Sequence, residues 1–262
     1  MPETNSTTQK IENILAILSG TSSASEVFVN KFGENIDIDT ADTAGALTQV
    51  IWPIKRTVQD YPFLDAPIAL TIQSDSASDT SLSGVGAQTV FVYYHDLNGE
   101  AQVETISLLG VTEITLPTNS YGVFRIEVDE SGSSNTNVGT ITVENGGTIY
   151  AVILPGEGQT QIAVQRIPNG IVSATVKYAR TTYARTGNNN LATLRLKVRK
   201  ANGTKLTKLN VNLVSTGLVD FERYYQVGGI VLEAGDWVYW ECTSVDTNDT
   251  PLAGYFDIIE NM

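Results

Sequence analysis

Along most of this chain apolar and polar residues alternate with a period of two, which predicts strands with one face buried. Phe124, Ile126 and Val128 alternate with Arg125, Glu127 and Asp129. Val172, Ala174, Val176 and Tyr178 alternate with Ser173, Thr175 and Lys177. Leu194, Leu196 and Val198 point one way, and Arg195, Lys197 and Arg199 the other. Val90 to Tyr93, Ile149 to Leu154, Leu209 to Leu213 and Tyr255 to Ile259 supply further strands. Asn98-Gly99 and Asn202-Gly203 predict tight hairpins whose two central residues both take φ > 0. Asn145-Gly146-Gly147, Pro168-Asn169-Gly170 and Gly235-Asp236 mark other turns.

One segment has a different period. In "TTQKIENILAILSG", Ile11, Ile14, Leu15 and Leu18 recur at helical spacing and Gly20 supplies a stop. Three turns are too short to be stable alone, so this arm is expected to pack on its own β-domain or on a sister subunit. The whole pattern predicts an all-β protein with two antiparallel β-sandwich (jelly-roll-like) domains and a short N-terminal helical arm. The expected division is an arm at 1–26, a first sandwich at 27–158 and a second at 159–262. The boundary falls at "PGEGQTQ" (155–161), where the composition turns from acidic to basic.

That turn is sharp. The chain of 262 residues carries a net charge of −13, yet no Asp or Glu lies between Glu157 and Asp220. Ten of the sixteen basic residues fall in this gap, and the rest of the chain sets six basic residues against all twenty-nine acidic ones. Arg195, Lys197 and Arg199 share an outward strand face, and Lys200, Lys205 and Lys208 flank its turn. This face is expected to meet a carboxylate-rich surface on a sister subunit or on a larger particle. Nucleic acid is not an expected partner, because the acidic remainder would repel phosphates. No apolar run approaches the roughly 18 residues that span a bilayer, so no membrane is expected either. The opening "MPETNSTTQK" lacks the basic-then-apolar layout of a secretory signal.

Catalytic chemistry has little material. A single histidine and a single cysteine leave almost nothing for a zinc site and no intrachain disulfide. His95 and Asp96 are neighbours on one strand and point to opposite faces, so they do not form an acid–base pair. Gly84 and Gly86 precede a strand rather than open a helix, which is the wrong context for a phosphate loop. Asn35, Asp37, Asp39 and Asp42 resemble the start of a calcium loop. Thr40 and Ala46 stand where that loop needs Gly and Glu, so the stretch reads as a polar strand edge. Trp237 and Tyr239 would line one face of a strand whose other face, Val238, Trp240 and Cys242, is core. Aromatic residues are enriched at interfaces, so Trp237 and Tyr239 are expected to contact another subunit, with a sugar platform as the alternative. No cofactor, no metal and no enzymatic activity are expected.

From Phe28 to about Gln165 the chain resembles a family of virion structural proteins from tailed bacteriophages, mostly of unassigned role. The resemblance rests on "KFGENIDIDT" (31–40), Trp52, "YPFLDAP" (61–67), "SDSASDT" (74–80), "SGVGAQTVFVYYHDLNGE" (83–100) and "TNVGTITV" (136–143), in that order. Family members usually carry Gly-Thr-Gly-Ala where this chain has Gly84-Val85-Gly86-Ala87, and Gly-Leu-Asp where it has Tyr94-His95-Asp96. His95 is therefore not a family residue. The second half is similar to the sandwich domains that such proteins append. The resemblance implies a component of the virion rather than a catalyst. The first reading of such a component is a capsid decoration or cement protein that binds the shell as a homo-oligomer such as a trimer, with other virion proteins as partners. A tail-associated or fibre-like component contacting the host receptor is the alternative, and a tail enzyme that cleaves polysaccharide a further one.

Overall fold

The computed structural model describes residues 26–40, 48–54, 58–184, 190–215, 217–225, 228–246 and 250–261. The predicted helical arm, with Ile11, Ile14, Leu15 and Leu18, lies outside them. Its expected role as an anchor rests on sequence alone.

In the first part of the described residues the chain forms β1 (Glu26–Ile38), β2 (Gln49–Val50), β3 (Thr71–Ser74), β4 (Ala87–His95), β5 (Ala101–Ser107) and β6 (Ile114–Thr115). Then come β7 (Gly122–Ser131), β8 (Ile141–Asn145), β9 (Thr148–Ile153), β10 (Val164–Arg166), β11 (Ser173–Ala184) and β12 (Asn190–Arg199). The last are β13 (Lys205–Ser215), β14 (Leu218–Tyr224), β15 (Ile230–Leu232), β16 (Trp237–Val245) and β17 (Thr250–Asn261). The pairings between these strands are antiparallel.

Four small sheets result. The first runs β1-β17-β11-β14 with β15 beside β11, and the second runs β10-β16-β12-β13 with β2 beside β16. Between them lies a core that includes Trp240, Tyr183, Phe256, Leu196 and Ile258. The third sheet, β6-β3-β8-β9, and the fourth, β5-β4-β7, enclose a second core around Ile72, Val92, Ile126 and Ile141. The sequence division at 158/159 is not where the sheets divide. β1 pairs with β17 from Glu26↔Asn261 to Ile38↔Thr250, so the first described strand completes the sheet of the second half. β1 can lie flat on residues 161–163 because position 33 is glycine. A Cβ there would meet the Ala163 nitrogen at 2.1 Å, while the Glu34 N–H donates to the Gln161 carbonyl at 3.0 Å.

A third cluster joins the two cores. Trp237 and Tyr239 project from the second sheet onto Trp52, Tyr61 and Leu64, with Ile149 and Tyr150 of β9 packed beside them. The rings meet edge-on or tilted, Trp52–Tyr61 at 5.1 Å, Phe63–Trp237 at 5.4 Å and Phe63–Tyr239 at 4.9 Å. The 58–64 segment is pinned to β9 by Gln59, whose amide donates to the Ile149 carbonyl at 2.7 Å and accepts from its N–H at 2.9 Å. Trp237 and Tyr239 are thus 3% and 0% exposed, and the expected outward aromatic face does not exist. β16 is covered on both sides, so its two parities mark two buried faces rather than core and solvent.

Two local expectations change as well. His95 pairs with Ala101, so residues 96–100 form a five-residue loop rather than a two-residue turn. Gly99 takes φ +79°, and Asn98 is not among the residues with positive φ. The loop is organised by Asp96, whose Oδ1 accepts from the N–H groups of Asn98 and Glu100 at 2.8 and 3.0 Å. The 200–204 loop repeats the device, with Gly203 at φ +86° and the Asn202 side chain accepting from the Thr204 N–H at 3.0 Å. On β11, a bulge between Val176 and Tyr178 resets the alternation. Ala174 and Val176 face the core, and so do Ala179, Thr181 and Tyr183. Tyr178 turns to the outer face, not to the inner face shared with Val176 that strict alternation predicted.

Candidate functional site

The basic strand face forms, and the chain itself neutralises much of it. Register places Arg195 opposite Glu241, Lys197 opposite Tyr239 and Arg199 opposite Trp237, which puts the cations on the side covered by the aromatic seam. The Lys197 ammonium reaches Glu241 at 3.1 Å, and both side chains are largely buried. Arg199 donates two parallel bonds to Asp65, at 2.6 and 2.8 Å, and lies over the Phe63 ring. This two-point contact holds the Asp65 carboxyl below its ordinary range and the guanidinium above its own. Lys200 contacts Glu233 and the buried Asp236, each at 2.7 Å. Arg195 donates to Asn210 at 3.0 Å. The basic face therefore finds its carboxylates at 65, 233, 236 and 241. Of the expected basic patch, Lys205 and Lys208 remain exposed, on the β12–β13 hairpin whose residues 201–208 all face solvent.

His95 is buried at the meeting point of the two halves, 2% exposed. Its ring stacks on Phe124 with centroids 4.7 Å apart, and its Nε2 lies 3.1 Å from the Gln165 amide nitrogen. Burial first, then the charges of Arg166 and Lys31, push its pKa down to about 3. The imidazole is neutral at ordinary pH and is closed off from solvent. Lys31 is buried beside the same ring, over Phe124 at 4.7 Å and donating to the Phe124 carbonyl. Asn35, the first residue of the calcium-like stretch, is buried and donates to the Trp52 carbonyl at 2.8 Å. Asp42 lies outside the described residues. Cys242 is buried in the first core, and burial pushes its thiol up to about 12.

Three of the stretches that carry the family resemblance converge instead on one carboxylate. Asp79 is fully buried and accepts four bonds: from the Ser74 hydroxyl at 2.7 Å and from the N–H groups of Ala87, Val138 and Gly139 at 2.8 Å each. "SDSASDT", "SGVGAQ" and "TNVGTITV" thereby become three sides of one knot. Gly86 fits because a Cβ would stand 2.0 Å from Asp79 Oδ1, and Gly84 because one would stand 2.3 Å from the Ser78 carbonyl oxygen. "YPFLDAP" supplies Tyr61, Phe63 and Leu64 to the seam and Asp65 to Arg199. These motifs fix loops and join sheets.

Sequence reasoning missed the outer face of the first sheet, where Tyr178, Tyr224, Tyr255 and Phe32 border a groove of 470 Å³. The residues come from four strands far apart in the chain, and the bulge in β11 turns Tyr178 outward. No periodic signal in the sequence marks that bulge.

The fold and this surface define an antiparallel, multi-sheet β protein whose distinctive motifs are structural. No family model matches the chain, and no curated protein matches it. Among solved structures, the infectious bursal disease virus Gx strain matches at 9% identity over 97% of this chain and 78% of that one, with a TM-score of 0.25. The VP2 subviral particle of infectious bursal disease virus matches at 10% identity over 97% and 78%, with a TM-score of 0.19. The cowpea mosaic virus top component matches at 7% identity over 73% and 80%, with a TM-score of 0.22. Likeness this slight sets no function.

Proposed function

We propose that this chain is a bacteriophage virion structural protein, a capsid decoration or cement protein that binds the shell as a homo-oligomer and has no enzymatic activity. The observation that carries the reading is the use made of the family-like motifs. From residue 31 to 143 their polar side chains and glycines close loops around Asp79, couple Asp65 to Arg199 and seat β1 on the second half. A protein whose described family-like residues close loops and join sheets suits a role in which shape and surface are the product. On the basic face, the exposed Lys205 and Lys208 are cations available to an acidic neighbour. Exposed ion pairs contribute only about 0–1 kcal/mol each, so several copies must act together, as a symmetric oligomer allows.

The test has two arms. Quantitative mass spectrometry of purified virions should find the protein in copies on the order of hundreds, as expected for a component repeated with the shell. A dozen copies or fewer would replace this reading with the tail. Lys205→Glu with Lys208→Glu should weaken particle binding at low salt and converge with the parent protein near 1 M, where the screening length is about 3 Å. Equal binding at both salt levels would remove the hairpin from the interface. The tail-associated reading has one observation of its own, the aromatic groove on the outer face of the first sheet.

A further inference from the structure

We infer that this groove is a binding site for a neutral oligosaccharide. Strand register builds it as three rows of outward side chains. Phe32, Tyr255, Arg180 and Glu222 form the middle row, and Asn30, Asp257, Tyr178 and Tyr224 lie on one side of it. The row on the other side runs Glu34, Ala253, Thr182 and Asp220, and the small pair Ala253 and Thr182 leaves a floor between the two carboxylates that larger side chains would fill. The volume of 470 Å³ falls within the usual range for small ligands, roughly 300–1,000 Å³.

The lining suits a sugar more than it suits a peptide or an anion. Tyr178 is held in place between two other rings, 4.4 Å from Tyr224 and 5.4 Å from Tyr255. Tyr224 is nonetheless 67% exposed and Phe32 43% exposed, so flat apolar faces stand open to water beside fixed polar groups. The C–H faces of a pyranose stack on such rings, while its hydroxyls need donors and acceptors held at set positions. Those are present. Asn30 donates to the Tyr255 hydroxyl at 3.0 Å and also bonds Asp257. Arg180 is clamped by Asp220 at 3.0 and 2.6 Å and lies 3.6 Å from Glu222. Burial, and then Glu222 beside Tyr178 and Asp257 beside Tyr255, push both phenols upward, so they remain protonated donors. The three rows set one guanidinium, Arg180, against four carboxylates, Glu34, Asp220, Glu222 and Asp257, an excess of negative charge that disfavours sulfated, sialylated or uronic-acid glycans. The inference stands on the groove alone and does not depend on where in a virion the protein sits.

The test uses the full chain and saturation-transfer NMR, with neutral hexasaccharides of glucose, galactose, mannose and N-acetylglucosamine, and heparin and polygalacturonate as anionic probes. At least one neutral hexasaccharide should bind, with saturation transferred to its ring C–H protons. Tyr224→Ala should weaken that binding by about two- to tenfold, as expected for losing one well-stacked aromatic contact. Phe32→Ala should also weaken it, and both variants should keep the parent's melting temperature because each side chain is exposed. Three results would overturn the inference: no binding by any neutral probe, binding by the anionic probes alone, or neutral binding that survives both substitutions. A fourth would as well, a self-association in sedimentation that Tyr224→Ala abolishes, since a second copy of the chain would then be the occupant.

Discussion

His95 and Asp79 show how differently single polar residues are used. Asp79 is buried with all its bonds made, so it can serve as the hub for three loops. His95 is buried where Lys31 and Arg166 oppose its protonation. Its folded pKa of about 3 lies below the unfolded value of about 6.5, so between those limits the unfolded chain binds the proton and the folded one does not. The stabilisation is complete above pH 6.5 and is lost as the pH falls toward 3. His95→Phe keeps a ring against Phe124 and removes the titration. Denaturation from pH 6 to 4 should show a shallower loss of stability in this variant, by up to about 1.4 kcal/mol per pH unit. Identical slopes for the two proteins would mean that the imidazole is protonated inside the fold.

At the scale of elements, the bulge in β11 does more than its one residue suggests. It lets Ala174 and Val176 share the inner face with Ala179, Thr181 and Tyr183, positions of opposite parity. It also delivers Tyr178 and Arg180 to the outer groove. Lys177 is the extra residue, and its ammonium bonds the Gly228 carbonyl at 2.9 Å on the surface. Lys177→Ala should therefore change stability by no more than about 0.5 kcal/mol, the usual size of a surface substitution. Deleting Lys177 should be far more damaging, because one half of the strand would present its buried set to water. Chemical denaturation of the two variants checks this contrast. Similar midpoints would show that the strand re-registers without cost.

Across the whole molecule, the aromatic seam decides whether the two cores behave as one. Trp237 touches Tyr61 and Phe63, and the same cluster reaches Ile149 and Tyr150 of the other half. With β1 closing the first sheet, the seam should make unfolding a single transition. Trp237→Ala should cost about 3–5 kcal/mol, the range for emptying a buried Trp site, and should split the transition into two. Calorimetry reads both effects; a parent protein that already unfolds in two steps would show that the seam carries little coupling.

The sequence by itself determined the kind of structure. Alternation located most of the strands and turn residues located most of the loops, because both follow from local backbone sterics and from the period of the pleat. The basic face at Arg195, Lys197 and Arg199 was legible for the same reason, since those positions share a parity. What covers that face was not. Asp65, Glu233, Asp236 and Glu241 meet the basic residues only through tertiary approach, and charge along a chain carries no record of distance in space. Trp237 and Tyr239 were read as a surface because aromatic rings are common at interfaces, whereas the unbroken apolar run from Trp237 to Trp240 is the pattern of a strand buried on both faces. The pairing of β1 with β17 spans nearly the whole chain, and the bulge that turns Tyr178 outward depends on the strands beside β11. Tertiary structure alone decided both, because long-range pairing and bulges are set by what packs against a strand and not by the strand's own residues.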